Sequence, residues 1–141
     1  MINLIFPMKP KSLNAGRRQL KKYRERIIEY VSNHSFSRFD KSQKIACTIY
    51  YFHRKKTEID ADNMGKPLLD ALKGVFFEDD SQVIWRLAVR INALEDYVIE
   101  NKGMDLDKFD ELFDFISTRD HVVYVELKKV GSLLLAVGQK F

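Results

Sequence analysis

Seven carboxylates and two lysines crowd into residues 58–80, EIDADNMGKPLLDALKGVFFEDD, interrupted by apolar residues of the kind that pack a core. Asp60 and Asp62 are two apart, so in extended backbone both side chains project from one face. Lys66, Asp70 and Lys73 follow at helical spacings of four and three and share a helix face, opposite Leu68, Leu69, Leu72 and Val75. Asp79 and Asp80 come after the short apolar link 75–78. Hard divalent cations prefer oxygen ligands, and two or three carboxylates can hold ions that bridge a phosphodiester and lower the pKa of an attacking water. A lysine alongside can neutralise charge that develops in the transition state.

Competing metal chemistries fail on ligand types. A calcium loop starting at Asp60 needs an oxygen ligand at its fifth position and Glu at its twelfth, where Met64 and Ala71 stand. One cysteine and three scattered histidines provide no zinc spacing. His34, His53 and His121 all lie outside the acidic stretch and read as structural or surface residues. Cys47 lies in an apolar run and reads as a small buried hydrophobe.

Charge is divided along the chain. Residues 1–57 carry 14 Lys and Arg against 3 Asp and Glu, whereas residues 58–141 carry 10 against 17. A basic part beside an acidic part suits a polyanionic partner held by one and a divalent metal held by the other. Arg54, Lys55 and Lys56 stand directly before the carboxylates, where they would draw a phosphate backbone toward them.

The elements that must position these groups follow from periodicity. Residues 2–6 read as a strand stopped by Pro7 and Pro10. From 15 to 33, Leu20, Tyr23, Ile27, Tyr30 and Val31 form a helical stripe, and Arg17, Arg18, Lys21, Lys22, Arg24 and Arg26 fall mostly off it, which predicts a basic amphipathic helix. Residues 44–54 are β-branched and aromatic, a second strand. Asp62 or Asn63 is placed to cap the next helix, and Pro67, tolerated near a helix start, is expected to bound where it begins, with an end near Gly74. Residues 81–94 read as a third strand with Trp85, Leu87 and Val89 opposite Arg86 and Arg90. Residues 105–117 predict an acidic amphipathic helix facing Leu106, Phe109, Leu112, Phe113 and Ile116 inward; HVVYVELKK is a fourth strand and SLLLAV a fifth. With 141 residues, no linker and no repeat, the expectation is one α+β domain over 1–141, a mixed sheet with helices packed on it. No run reaches the roughly 20 apolar residues of a membrane helix. The start MINLIFPMKPK has Pro7 and Lys9 where a secretion signal stays apolar, so a cytoplasmic location is expected.

DADNMGKPLLDAL (60–72) and DDSQV (79–83) follow the pattern D-x-D-N-x-x-K-x-x-x-D-A-L then D-D-x-Q-[VI], which resembles the RusA family of Holliday junction resolvases; PKSLN (10–14), followed by basic residues and Tyr23, is similar to an N-terminal segment of that family. The resemblance implies a homodimeric, Mg²⁺-dependent endonuclease, with Mn²⁺ as a substitute, that nicks four-way DNA junctions symmetrically in recombination and repair. It implies Asp60, Asp62 and Asp80 as catalytic metal ligands, Lys66 as the catalytic lysine, and Asn63, Asp70 and Asp79 as supporting residues. Arg17, Arg18, Lys21, Lys22, Arg54, Lys55 and Lys56 are the expected DNA contacts. A bacterial or phage-infected cell is the expected setting. Residues 95–120 depart from the family pattern and read as an insertion or a variable segment. The alternative is a catalytically inactive protein of the same fold that binds branched DNA; a plain interaction protein working through the helix at 105–117 is a third, weaker reading.

Overall fold

The computed structural model describes residues 1–33, 37–133 and 135–138. Four strands and three helices run in the order β1 (Ile2–Phe6), α1 (Arg17–Ser32), β2 (Ile45–His53), α2 (Ala61–Leu72), β3 (Val83–Asn92), α3 (Leu106–Thr118) and β4 (His121–Lys129), with a 3₁₀ turn at Asp80–Gln82. The strands form one mixed sheet in the order β1-β4-β2-β3. β4 is antiparallel to both of its neighbours, while β2 and β3 are parallel, paired from Ile45↔Val83 to His53↔Asn92 with one register shift between Ile45 and Ala46. Parallel neighbours need a crossover, and α2 is that crossover. It therefore runs back along the sheet, with its start near the end of β2 and its end near the start of β3.

Alternation along each strand sorts the two faces. On one face Ile45, Cys47, Ile49 and Tyr51 of β2 and Val123, Val125 and Leu127 of β4 meet Tyr23, Ile27 and Val31 of α1 and Leu68, Leu69 and Leu72 of α2, all buried. The α1 stripe is thus as the periodicity predicts. On the opposite face a smaller cluster joins Ile5, Phe52, Val122 and Tyr124 to Leu112 and Ile116 of α3.

Four expectations change. The first concerns Pro67, which does not bound the start of α2 but sits inside it, the seventh of twelve residues. A proline there leaves the carbonyl four residues earlier without its helical donor. That carbonyl belongs to Asn63, and the Leu13 backbone N–H donates to it at 2.8 Å. A tertiary bond thus replaces the missing helical one. The second concerns the cap, since the residue in that place is Asp60, whose side chain makes no capping bond. Third, α3 buries Leu112 and Ile116, but Leu106 and Phe113 point outward at 71% and 41% exposure. The helix meets the sheet along one narrow seam, so only residues spaced by four can reach it, and Phe113 instead packs edge-on against Phe109 at 5.0 Å. Fourth, residues 132, 133 and 135–137 of the expected fifth strand form no strand, and Leu134 lies outside the described residues, as does His34. No helix among the described residues is long and apolar enough to cross a membrane.

Candidate active site

Asp60 and Asp62 stand at the start of α2, both exposed. A helix N-terminus carries partial positive charge that favours carboxylates, and among the described residues neither side chain is engaged in a hydrogen bond or ion pair. The segment leading into them is held from two sides. Arg90 of β3 donates from its guanidinium to the Ile59 carbonyl at 3.0 Å. The Ile59 N–H donates to the Thr57 hydroxyl at 3.3 Å.

Lys66 lies one turn beyond Asp62 and donates to Asp70 at 3.2 Å, an ion pair across one helical turn on a half-exposed surface. Such a pair contributes at most about 0.5 kcal/mol to the helix. Arg86 reaches from β3 to the same helix: a Cβ placed on Gly65 would approach its Cδ to 3.2 Å. Lys66, Leu69, Asp70, Asp80, Val83 and Arg86 line a cleft of about 220 Å³ along this side of α2. Glycine at 65 is what lets the arginine stem lie against the helix.

Asp80 faces the same cleft as Lys66 and Asp70. Its carboxylate pairs with Lys73, the residue that follows α2, at 3.5 Å. Among the described residues no group of three His, Cys, Asp or Glu could hold a metal ion, so Asp60, Asp62 and Asp80 do not converge as one ready ligand set. Asp60 and Asp62 by themselves fit a hard cation that completes its shell with water and substrate phosphate, the usual habit of Mg²⁺.

Asp79 caps the 3₁₀ turn. Its Oδ1 accepts from the Ser81 N–H at 3.0 Å, and that backbone bond is the main cause holding its carboxyl below the usual range. Completing the capping box is Gln82, the buried polar residue of the domain. Its Oε1 accepts from the backbone of Glu78 and Asp79 at 2.9 and 3.1 Å, while its Nε2 donates to the carbonyls of Asp40 and Gln43 at 2.8 and 3.1 Å. Four bonds from one carboxamide fix the Asp79–Asp80 turn against the loop before β2. Sequence reasoning missed this residue as a functional support; the signal for it was a glutamine at the edge of an apolar strand, three residues after an aspartate.

Of the expected DNA contacts, Arg17, Arg18, Lys21 and Lys22 are exposed on α1. Two arginines occupy the first turn of α1, with no acid there and no capping side chain. The helix dipole disfavours cations at that end, so the local stability rule yields to something else. The 10–14 segment, tied to Asn63 through Leu13, sets this cationic helix start close to Asp60 and Asp62. Arg54 and Lys55 turn the other way. Arg54 Nη1 donates to the Ile116 carbonyl near the end of α3 at 3.2 Å, and Lys55 pairs with Asp120 at 3.1 Å. Lys56 remains exposed.

Fold and site together present a mixed sheet, a crossover helix that opens on paired aspartates, and a cationic helix beside it. Residues 9–100 match the family described as Endodeoxyribonuclease RusA. The chain belongs to that endodeoxyribonuclease family, and the match spans α1, β2, α2 and β3 and stops before α3. No curated protein matches the chain significantly.

Proposed function

We propose that this protein is a structure-specific endodeoxyribonuclease that resolves four-way DNA junctions by paired nicks. The observation that carries this reading is the pair of unengaged carboxylates, Asp60 and Asp62, beside the cationic start of α1. In the reaction, water adds to phosphorus, the bond to one ester oxygen breaks, and that oxygen leaves with a proton. Mg²⁺, with Mn²⁺ as a substitute, is the proposed cofactor, and Asp60 and Asp62 are the residues that would hold it; when bound it supplies a polarised phosphate and a water of lowered pKa. Lys66, one turn away, offers its ammonium to the charge that builds on the phosphoryl oxygens once it swings from Asp70. Arg17, Arg18, Lys21, Lys22 and Lys56 grip neighbouring phosphates without reading sequence. A homodimer is part of the proposal, because a four-way junction has near two-fold symmetry and a two-fold pair presents two identical sites.

One observation favours the alternative, a branched-DNA-binding protein without cleavage: Asp80 is paired with Lys73 and forms no three-carboxylate set with Asp60 and Asp62. Incubating an end-labelled four-way junction and a matched duplex with the protein, in Mg²⁺ or in chelator, separates the two readings. Paired symmetric nicks confined to the junction and dependent on the cation are expected. Junction binding with no nick in Mg²⁺ or Mn²⁺ would establish the non-catalytic reading.

A further inference from the structure

The apolar face beneath α1 and α2 does not continue to the end of the sheet. Past Val123 and Ile49 its floor turns polar, with Tyr51 and His53 on β2, His121 on β4, and Arg90 and Asn92 on β3 in adjacent register. This polar end lies under the 54–60 segment and the start of α2.

Tyr51 is completely buried, a poor place for a hydroxyl without partners. Its oxygen lies 2.8 Å from His121 Nδ1, and the two rings stack at 6.0 Å. Burial pushes the phenol pKa up, against the Thr57 hydroxyl and the Arg90 charge beside it, which pull it down. The phenol therefore keeps its proton, and it shares one hydrogen bond with Nδ1 of the neutral imidazole. Burial and the neighbouring Lys9 charge lower the His121 pKa and favour that neutral form; Asp120 opposes them, and His53 and Lys55 add to them. Thr57, beside the same hydroxyl, accepts from the Ile59 N–H. Ile59 is the residue before Asp60, and its carbonyl takes the Arg90 bond. His53 Nδ1 donates to the Lys55 carbonyl at 2.9 Å, fastening the other end of the same segment.

We propose that Tyr51 and His121 are positioning residues: the buried hydroxyl, anchored on β4 by the imidazole, holds the 54–60 segment through Thr57 and so fixes where Asp60 and Asp62 stand. His121 lies beyond the region shared with the family, so in this chain β4 takes a part in the site that the matched residues alone do not describe. The consequence for catalysis rests on the nuclease reading above; the consequence for the segment does not. The isolated histidine of the sequence thus becomes the far anchor of the aspartates.

The test compares the full-length wild type with Tyr51→Phe, His121→Ala and His121→Asn, the last keeping an acceptor near the place of Nδ1. Backbone amide exchange is followed by mass spectrometry in peptides covering 57–64 and, as a reference, 122–129. Tyr51→Phe keeps the ring, so it reports on the hydroxyl even where His121→Ala folds poorly. Exchange at 57–64 is expected to quicken about tenfold or more in Tyr51→Phe and His121→Ala, with 122–129 unchanged. His121→Asn restores the wild-type rate. Single-turnover nicking of a four-way junction is expected to fall about tenfold or more in the same two variants, with junction Kd within about twofold of wild type. Unchanged exchange at 57–64 overturns the proposal, and so does exchange that quickens equally throughout the chain or fails to recover in His121→Asn. A wild type that nicks nothing overturns the nuclease reading, while the exchange comparison still decides the positioning role.

Discussion

The two faces of the sheet are built from the same four strands and are finished differently. Beneath α1 and α2 the core is closed, with Tyr51, Ile49, Ile45 and Cys47 sealed under Ile27, Leu68 and Leu72. Beneath α3 it is half open. Only Leu112 and Ile116 seat fully, and a cavity of about 440 Å³ lies between the sheet and the 97–104 loop, lined by Tyr50, Phe52, Tyr97, Phe109 and Tyr124 among others. Trp85 and Leu87 of the edge strand β3 stay 42% and 44% exposed on this side. Charge follows the same division. α1 shows an outer surface of arginine and lysine, while residues 95–120 carry nine carboxylates against three cations. A polyanion approaching the molecule is drawn to the first face and repelled by the second. Rigid packing, cationic surface and unengaged carboxylates thus coincide on one side, as a site that must hold its geometry requires.

The comparison breaks most sharply at the aspartates. Asp62→Asn is expected to slow junction nicking by at least about 100-fold while leaving the gel-shift Kd within about threefold, because loss of a ligand removes transition-state stabilisation rather than affinity. Asp110→Asn or Asp114→Asn on α3 leaves the nicking rate alone. Equal effects from the two faces would dissolve the distinction.

Next in size is stability. Leu68→Ala in the closed core is expected to destabilise by about 3–4 kcal/mol, and Leu112→Ala, bordering an existing cavity, by about 2 kcal/mol, both from urea unfolding. Gln82→Ala leaves three backbone groups, the N–H of Glu78 and Asp79 and the carbonyl of Gln43, short of a partner, since the Asp40 carbonyl keeps the Gln43 N–H, and is expected to fall between them, at about 2–3 kcal/mol. A Leu112 effect larger than that of Leu68 would show that the α3 face is the real core.

Affinity should shift less. Arg17→Ala with Arg18→Ala is expected to weaken junction binding about tenfold and to lower the slope of log Kd against log salt by about 2. Neutralising Asp107, Asp110 and Asp114 to Asn should tighten binding slightly at low salt and vanish as an effect at high salt, because those charges act only at a distance.

The smallest effect concerns Cys47 on the closed face. Burial pushes its thiol up to about 12, so the native protein should not react with a thiol reagent at pH 8, and should react once unfolded in urea, where the group regains its ordinary value. Rapid native reaction would show that this face opens.

Legibility in the sequence followed the range of the forces involved. Strands β1, β2, β3 and β4 and the α1 stripe were readable because alternation and the i, i+4 repeat are local consequences of backbone geometry. The inward side of α3 was misread at Leu106 and Phe113, since the sequence offered a wide apolar arc and the sheet accepts only a seam. Pro67 was misread because the compensating donor, Leu13, lies fifty residues from Asn63, whose carbonyl it serves.

For the site, residue types and spacing alone determined the acidic pairs, the lysine at helical distance, the cationic helix and the family, because ligand chemistry and short-range periodicity are written in consecutive residues. Tertiary structure decided what those groups face. It paired Asp80 with Lys73 in the cleft beside α2, turned Arg54 and Lys55 toward α3, and gave Gln82 its four partners. It also placed His121 against Tyr51 across 70 residues of chain. Contacts of that separation depend on strand order and register, and no local pattern encodes which strand lies beside which.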